Sequence, residues 1–551
     1  MKQKSVKSFT SNVIIIFAAQ IIVKLLGMLY RMAITNIDGF GDAGNGFYSA
    51  GFQIYTLLLA ISSIGIPNAV SKLISEKVVL SDFEGTNRIF KTSMFVFSAI
   101  GILASFVLFV FASPIAKYIL NMGGAKYSML ALAPSIFFVC ISSVFRGYFS
   151  GTNKLDIMSF SQIIEQVFKS VLTVVFVLLA VEKTPEIMSG WANFATTVAT
   201  VIGTLYLFYM YKADNYRHNF KGKCNIGKNL YTVKTILTLA VPISLCSIIS
   251  AMNRIVDTAT ITRGIENAFA ICIPARIGAQ AIYHPTASQL NSEAVRLAGM
   301  LSKSDTLINL PLALNISFAT VLVPSISKCQ AVGDKVKIKD YINFSFLTSV
   351  VLVCPCVVGY MVLAKPIYNL IYPNASLGYE LLQLSAVSLI FTALNQTITG
   401  ALQGLGKVYI PTVALAVGCV AKIVMNYILI SIPQINIYGA VIGSIVCQFV
   451  VFLIEWSGIR KYEGRGIIEK SALIKTLFCN ALMCLVTYCT YKISHSICSN
   501  TVSLILTIGI SAISYAAFII LFKVFDAEQL SKIPILSKVY AFFDKRHIRN
   551  E

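Results

Sequence analysis

The stretch 145–171, FRGYFSGTNKLDIMSFSQIIEQVFKSV, returns 253 positions later as 398–424, ITGALQGLGKVYIPTVALAVGCVAKIV. Gly147, Gly151, Lys154 and Lys169 recur as Gly400, Gly404, Lys407 and Lys422. Ile157, Val167 and Val171 recur as Ile410, Val420 and Val424. In each copy a long apolar segment ends, a polar glycine-containing turn follows, and a second apolar segment begins that holds one lysine. A further repeat accompanies it. Pro67, Ser71 and Lys72 close one apolar segment, and Pro324, Ser327 and Lys328 close another with one residue fewer inside the motif. The pattern predicts two related halves in tandem.

Composition sets the class. Of 551 residues, 56% are hydrophobic and 13% charged. Soluble domains carry about a quarter charged residues, so this is the composition of a polytopic membrane protein. The first apolar run lacks a cleavage site and reads as a retained helix rather than a leader. The 13 cysteines are scattered without a CxxC pair, and Cys354-Pro355-Cys356 reads as helix packing. The four histidines form no ligand spacing, so neither a metal site nor a cofactor is expected. No phosphate-binding loop, His-Glu-x-x-His or nucleophile elbow suggests an enzyme. A net charge of +21 raises nucleic acid as a partner. Its lysines and arginines lie in short loops between apolar segments, which points to orientation in a lipid bilayer instead.

A spanning helix needs about 20 apolar residues. Fourteen segments qualify, at about 12–34, 47–68, 89–112, 128–148, 160–181, 190–211, 235–258, 303–326, 341–363, 380–401, 411–431, 437–456, 471–490 and 502–522. With fourteen spans every strongly basic segment falls on one side, which makes both termini cytoplasmic. Those segments hold Lys2 to Lys7, Lys72 to Lys91, Lys212 to Lys234, Lys328 to Lys339, Arg460 to Lys470 and Lys532 to Arg549. The expected fold is all-α, with about fourteen transmembrane helices. A six-helix lobe over 1–211 and a second over 235–456 flank a basic cytoplasmic linker, 212–234. Residues 457–551 supply a cytoplasmic loop, two additional transmembrane helices and a basic tail. The external connection 259–302 is long, and Ala268–Ile277 within it reads either as a short interfacial helix or as plain loop. Gly39, Gly41, Gly44 and Gly46 read as a flexible external turn or hinge.

Ionisable groups at membrane depth face a cavity or a partner because lipid cannot solvate them. Lys24 and Arg31 lie seven apart on one face of the first span. In the seventh span Ser244, Ser247, Ser250, Arg254 and Asp257 recur at intervals of three or four, flanked by Asn253. This stripe fits a cavity lining, and Arg254 can partly pair with Asp257. Glu165 and Lys169 are four apart and can pair locally; Lys422 is the second-half counterpart of Lys169. Gln20, Gln53, Tyr55 and Asn68 can add polar contacts or cap helices. The cations outnumber Glu165 and Asp257, so the cavity suits an anion. Arginine offers a planar fork for phosphate and lysine a point charge, which favours a diphosphate headgroup over an organic cation.

Several motifs carry a family resemblance. They are Gly41-Asp42-Ala43-Gly44-Asn45-Gly46-Phe47-Tyr48, Ile64-Gly65-Ile66-Pro67-Asn68-Ala69-Val70-Ser71-Lys72, Asn309-Leu310-Pro311-Leu312-Ala313, and Phe145-Arg146-Gly147-Tyr148-Phe149 with Gly151. In this order they resemble the SpoVB and YtgP-like branch of the multidrug, oligosaccharidyl-lipid and polysaccharide exporter superfamily, over nearly the whole chain. The resemblance implies fourteen helices in two lobes around a central cavity; the internal repeat adds the expectation that the first and seventh spans face each other across it. It also implies movement of undecaprenyl-linked sugars, including lipid II in some members, and a role in sporulation for others. The family's cavity bases map onto Lys24, Arg31 and Arg254. Many relatives carry a carboxylate where this chain has Ala43, leaving Asp42 as the nearby acid and weakening the case for a gating ion pair. Part of 259–293 also departs from the family.

The resulting expectation is a flippase in the bacterial cytoplasmic membrane, working by alternating access on an undecaprenyl-diphosphate-linked sugar. The site is expected at Lys24, Arg31, Arg254 and Asp257. Gln53, Glu165, Lys169, Ser247, Ser250, Asn253 and Lys422 are cavity or structural candidates. A monovalent cation or the membrane potential can drive the cycle, and cell-wall synthesis proteins are candidate partners. Two other readings are a cation-coupled multidrug exporter of the same superfamily and a non-transporting scaffold of a wall-synthesis complex.

Overall fold

The computed structural model describes residues 2–60, 66–214, 230–275, 280–464 and 469–525. Most of the basic linker and the whole C-terminal tail lie outside the described residues. In chain order the helices are α1 (Lys2–Thr35), α2 (Gly41–Ala60), α3 (Ile66–Val79), α4 (Phe83–Pro114), α5 (Ala125–Gly151), α6 (Leu155–Leu179), α7 (Pro185–Ala213) and α8 (Leu230–Ala268). They continue as α9 (Ala287–Val332), α10 (Lys335–Ile371), α11 (Tyr379–Gly404), α12 (Tyr409–Ile430), α13 (Tyr438–Glu463), α14 (Lys470–Ile497) and α15 (Asn500–Leu521). Each expected span falls on a helix, the second being shared by α2 and α3. Among the described residues ten helices, α4–α7 and α10–α15, are long and apolar enough to cross a membrane. The chain is a multi-pass membrane protein. The other expected spans lie on α1, α2, α8 and α9, the helices that carry its polar cavity.

The repeated stretch builds the same helix end twice. After α5, the amides of Thr152, Asn153 and Lys154 donate to the carbonyls of Tyr148, Ser150 and Phe149 at 2.9, 3.1 and 2.7 Å. After α11, Leu405, Gly406 and Lys407 donate to Ala401, Gln403 and Leu402 at 3.0, 3.0 and 2.8 Å. Asn153 and Gly406 hold positive φ, 60° and 73°, which lets the last amide reach back over the helix end. Asparagine and glycine are the residues that tolerate this conformation. The lysines of the repeat thus mark where each cap finishes.

The glycines of the repeat mark close helix contacts. A Cβ on Gly151 would lie 2.7 Å from Ile74, and one on Gly404 would lie 2.8 Å from Ile326. The nearby backbone carbonyls are those of Ser71 and Val323. These contacts equate Ile74 with Ile326 and Ser71 with Val323. That register is one helical turn away from the match read from Pro67 and Pro324, because the glycine contact, not the proline, fixes how the helices meet. Ser71 still donates to Ser150 at 2.9 Å, and Ser327 to the Gly404 carbonyl at 3.0 Å. Gly151→Ala is predicted to cost about 1–3 kcal/mol by overpacking. Thermal unfolding of the purified protein checks this, and an unchanged midpoint would count against the contact.

The chain forms two compact units. The first comprises Met1–Ala313, Ile371–Leu381 and Thr412–Val450. Its apolar core includes Phe47, Leu108, Met129 and Ile136, with a second cluster around Phe90, Phe97, Tyr148 and Phe149. The second unit comprises Leu314–Leu370, Leu382–Pro411 and Val451–Glu551. Its core includes Ile326, Phe346, Leu402 and Ile459, with Cys479, Met483 and Tyr515 in another cluster. These units are not coextensive with the sequence halves, because α12 is tied to α8 in the first unit through buried polar groups. Cys354 and Cys356 lie within α10 as free thiols.

Two readings of the connections are corrected. Residues 268–277 do not form an interfacial helix over the described part. Cys272–Ile273 (β1) pairs antiparallel with Ile282–Tyr283 (β2). At 1.5 Å per residue α8 and α9 are about 58 and 69 Å long, well beyond a hydrocarbon layer of about 30 Å. They carry onto helix ends the charges read as loop. There Arg263 donates to the Tyr118 carbonyl at 2.8 Å, and Asn121 donates to Glu266 at 2.8 Å. The glycine-rich turn is likewise not a flexible loop throughout. Gly41, Gly44 and Gly46 are inside α2, and a Cβ on Gly46 would clash with the Val295 carbonyl.

A cationic cavity and its family

Within the first unit, α1, α2, α6, α8 and α9 line a cavity of about 420 Å³. Lys24 and Arg31 reach it from α1, Gln53 from α2 and Arg254 from α8. The seven-residue spacing of Lys24 and Arg31 puts both on the cavity face of α1, as helix geometry requires. The wall from α9 holds Ser302, Asp305, Thr306 and Asn309. Three cations therefore meet one carboxylate.

The cations differ in how they are held. Arg31 sits in a neutral cage. It donates to Ser49 Oγ at 2.8 Å, Thr306 Oγ1 at 3.1 Å, Ser302 Oγ at 3.2 Å and Asn45 Oδ1 at 3.3 Å. Its guanidinium lies 4.9 Å from the centroid of the Tyr48 ring, and its buried Nε has no hydrogen-bond partner among the described residues. The cage fixes the fork without neutralising it. Lys24 and Arg254 are exposed to the cavity and form no ion pair among the described residues. Gln53 accepts from Thr258, which ties α2 to α8.

Other expected residues fall elsewhere. Asp257 does not line the cavity or pair with Arg254. It pairs with Lys422 Nζ at 2.5 Å, and Asn426 Nδ2 donates to its other oxygen at 3.1 Å. Lys422 also donates to the Asn253 carbonyl at 3.3 Å. Lys422 and Asn253 are thus parts of a buried link between α8 and α12. Ser247 and Ser250 are half-buried and outside the cavity lining. Asp257→Ala is predicted to cost roughly 3–5 kcal/mol, since it strands a buried ammonium. Folded yield should fall before activity, and Asp257→Ala with Lys422→Met should recover part of it. No recovery in the double variant would argue against the pair.

The local Glu165–Lys169 pair does not form. Glu165 instead meets Arg146 at 2.6 Å and accepts from Thr200 at 3.2 Å. Lys169 lies 4.5 Å from the Phe52 centroid and 5.7 Å from that of Tyr30, a cation–π setting behind the cavity wall. A strong partner on α5 displaces the weaker neighbour on the same helix.

Two charged residues were not singled out in the sequence. Asp305 lines the cavity. Lys303, fully buried, meets Asp42 at 2.6 Å and donates to the carbonyls of Ala375 and Leu377. Asp42 therefore does enter an ion pair, with a lysine from α9 rather than with its own turn. A second cavity of about 620 Å³ is lined by Asp42, Ala375, Leu377 and Arg296. Arg31 and three members of its cage line the first cavity, and Asp42 of the Lys303 pair lines the second. A Cβ on Gly299 would clash with the Asp42 carbonyl, so the helices touch here through backbone.

Comparisons with known proteins agree with this architecture. The chain is 27% identical over 481 residues to the lipid II flippase MurJ of Bacillus subtilis (strain 168), covering 82% of this chain and 83% of that protein. It is 22% identical over 545 residues to stage V sporulation protein B of the same organism, covering 97% and 99%. The solved inward closed conformation of lipid II flippase MurJ superposes with a TM-score of 0.67 at 16% identity, covering 93% of this chain and 99% of that one. The MatE family pattern matches residues 286–428. The pattern of the polysaccharide biosynthesis protein family matches residues 9–330, more than half of the chain, and the chain belongs to that family.

Proposed function

We propose that this protein is a flippase for an undecaprenyl-diphosphate-linked sugar, a peptidoglycan or related polysaccharide precursor. The observation that carries the reading is the cavity in which Lys24, Arg31 and Arg254 face one carboxylate. Such a site attracts a diphosphate, and Arg254, which lines the cavity without an ion-pair partner among the described residues, offers it the planar fork. The similarity to a lipid II flippase supports the same substrate class, and that to a sporulation protein supports a role in sporulation. No covalent step is needed: the headgroup crosses through the cavity while the prenyl tail stays in lipid. The two six-helix lobes would alternate access to the site. A multidrug exporter shares the MatE pattern, but an organic cation would meet charge of its own sign here.

In this reading the protein sits in the cytoplasmic membrane with both termini inside, and the Asp42–Lys303 layer is the external gate. The functional test is flipping in proteoliposomes of lipid II beside other undecaprenyl-linked sugars. Absence of movement of every such lipid by folded protein would refute the proposal. For orientation, a cysteine in place of Lys335 should stay unlabelled by an impermeant thiol reagent added to whole cells. Labelling there would invert the topology.

A further inference from the structure

The second unit contains a carboxyl group that the cavity does not use. Glu455, on α13, is 1% exposed. Thr399 of α11 donates to its Oε1 at 2.7 Å, and Oε2 is buried with no hydrogen-bond partner among the described residues. The same two helices contribute Leu394, Ile398, Leu402 and Ile459 to an apolar cluster, with Phe452 and Trp456 packed beside them, and Asn395 is a buried polar group one turn before Thr399 on α11. No ion pair reaches Glu455 among the described residues. Facing it, α11 presents Thr399, its charged residue Glu380 being at the far end. The titratable groups in or packed on this cluster are Tyr341 and Cys354 from α10 and Cys329 from α9. On α13 itself Arg460 lies over the Trp456 ring, 5.4 Å from its centroid, and Lys461 is exposed.

An ionised carboxylate in such a place has neither counter-ion nor enough donors, and its transfer from water is prohibitive. A structural role would be served as well by a neutral amide or an apolar side chain. What a carboxyl adds is the ability to lose a proton once water reaches it. Thr399 belongs to α11, so the bond that holds Glu455 joins α13 to α11. We propose that Glu455, held by Thr399, is a proton-binding site that couples the transport cycle to the proton gradient. The proton is taken from water and returned to it, with no other bond made or broken. While α11 and α13 are together the carboxyl keeps its proton; when they part and water enters, it is released. The coupling rests on the flippase reading, whereas the proton site does not.

The test has two arms on the full-length protein. Infrared difference spectra in nanodiscs should show the carbonyl band of a protonated carboxyl, lost on titration to high pH and missing in Glu455→Gln. Thr399→Val should shift the pH midpoint of that band. In proteoliposomes carrying fluorescent lipid II, a gradient of one pH unit should change the steady-state distribution about tenfold for one coupled proton, and not at all in Glu455→Gln. Wild type that moves lipid II without responding to the gradient would overturn the proposal. So would an unchanged band in both variants, or a Glu455→Gln protein that responds like wild type. Wild type that moves no lipid while showing the band would refute the flippase reading and leave the proton site standing.

Discussion

Arg254→Ala lowers lipid flipping about thirtyfold at equal folded protein, and Arg254→Lys restores part of it. Arg254 projects from α8 into the cavity without an ion-pair partner among the described residues, so its removal strands no buried group. Folding should therefore be unaffected. What is lost is a charge-assisted contact to the substrate anion, worth roughly 2 kcal/mol, which is the stated thirtyfold in rate. Lysine keeps the charge but not the planar fork. Arg31→Ala behaves differently. It leaves Ser49, Ser302, Thr306 and Asn45 without their shared donor, so both stability and flipping fall. The measurement is binding and flipping of lipid II by equal amounts of folded wild type and variants. Normal values in both Arg31→Ala and Arg254→Ala would remove the diphosphate from this cavity and favour a scaffold.

The contrast between these arginines marks what sequence can convey. Spacing along one helix placed Lys24 with Arg31 and put Arg254 on a polar face, because helix geometry decides which residues share a side. Partners on other helices are not encoded that way. Glu165 met Arg146 and Asp257 met Lys422, while neighbours four or three residues away were left aside. Asp305 and Lys303 sit at the start of the eighth expected span, where a charge is not distinguished by sequence from one in the preceding loop. A signal was present nonetheless. Ser302, Thr306 and Asn309, at intervals of four and three, draw on α9 a stripe like that on α8, and Asp305 lies next to it. The glycine–lysine repeat was legible since caps and close contacts demand particular residues. Its register on α3 and α9 was not, because apolar side chains can interdigitate one turn higher or lower.

Lys303→Ala is expected to open the layer between the two cavities. Lys303 is fully buried and holds Asp42 together with the carbonyls of Ala375 and Leu377. Removing the ammonium leaves a partly buried carboxylate and two carbonyls without their shared donor. Breaking such a pair costs roughly 3–5 kcal/mol, and the cost falls only on the state in which the layer is shut. Any state that lets water reach the Lys303 position and the two carbonyls escapes it. The closed population should drop by about two to four powers of ten relative to the open one. Asp42→Asn with Lys303→Met removes both charges and should return most of the closed population. A cysteine in place of Thr56, which lines the central cavity, reports the change through labelling by an impermeant reagent added from outside. Cys479, fully buried in the second unit, is the control for unfolding and should remain unlabelled. If Lys303→Ala leaves the Thr56→Cys position as protected as before, in protein whose Cys479 is also protected, the pair is packing alone and the gate lies elsewhere. If labelling rises at Thr56→Cys and not at Cys479, a single ion pair between α2 and α9 sets which side of the membrane the cationic cavity faces.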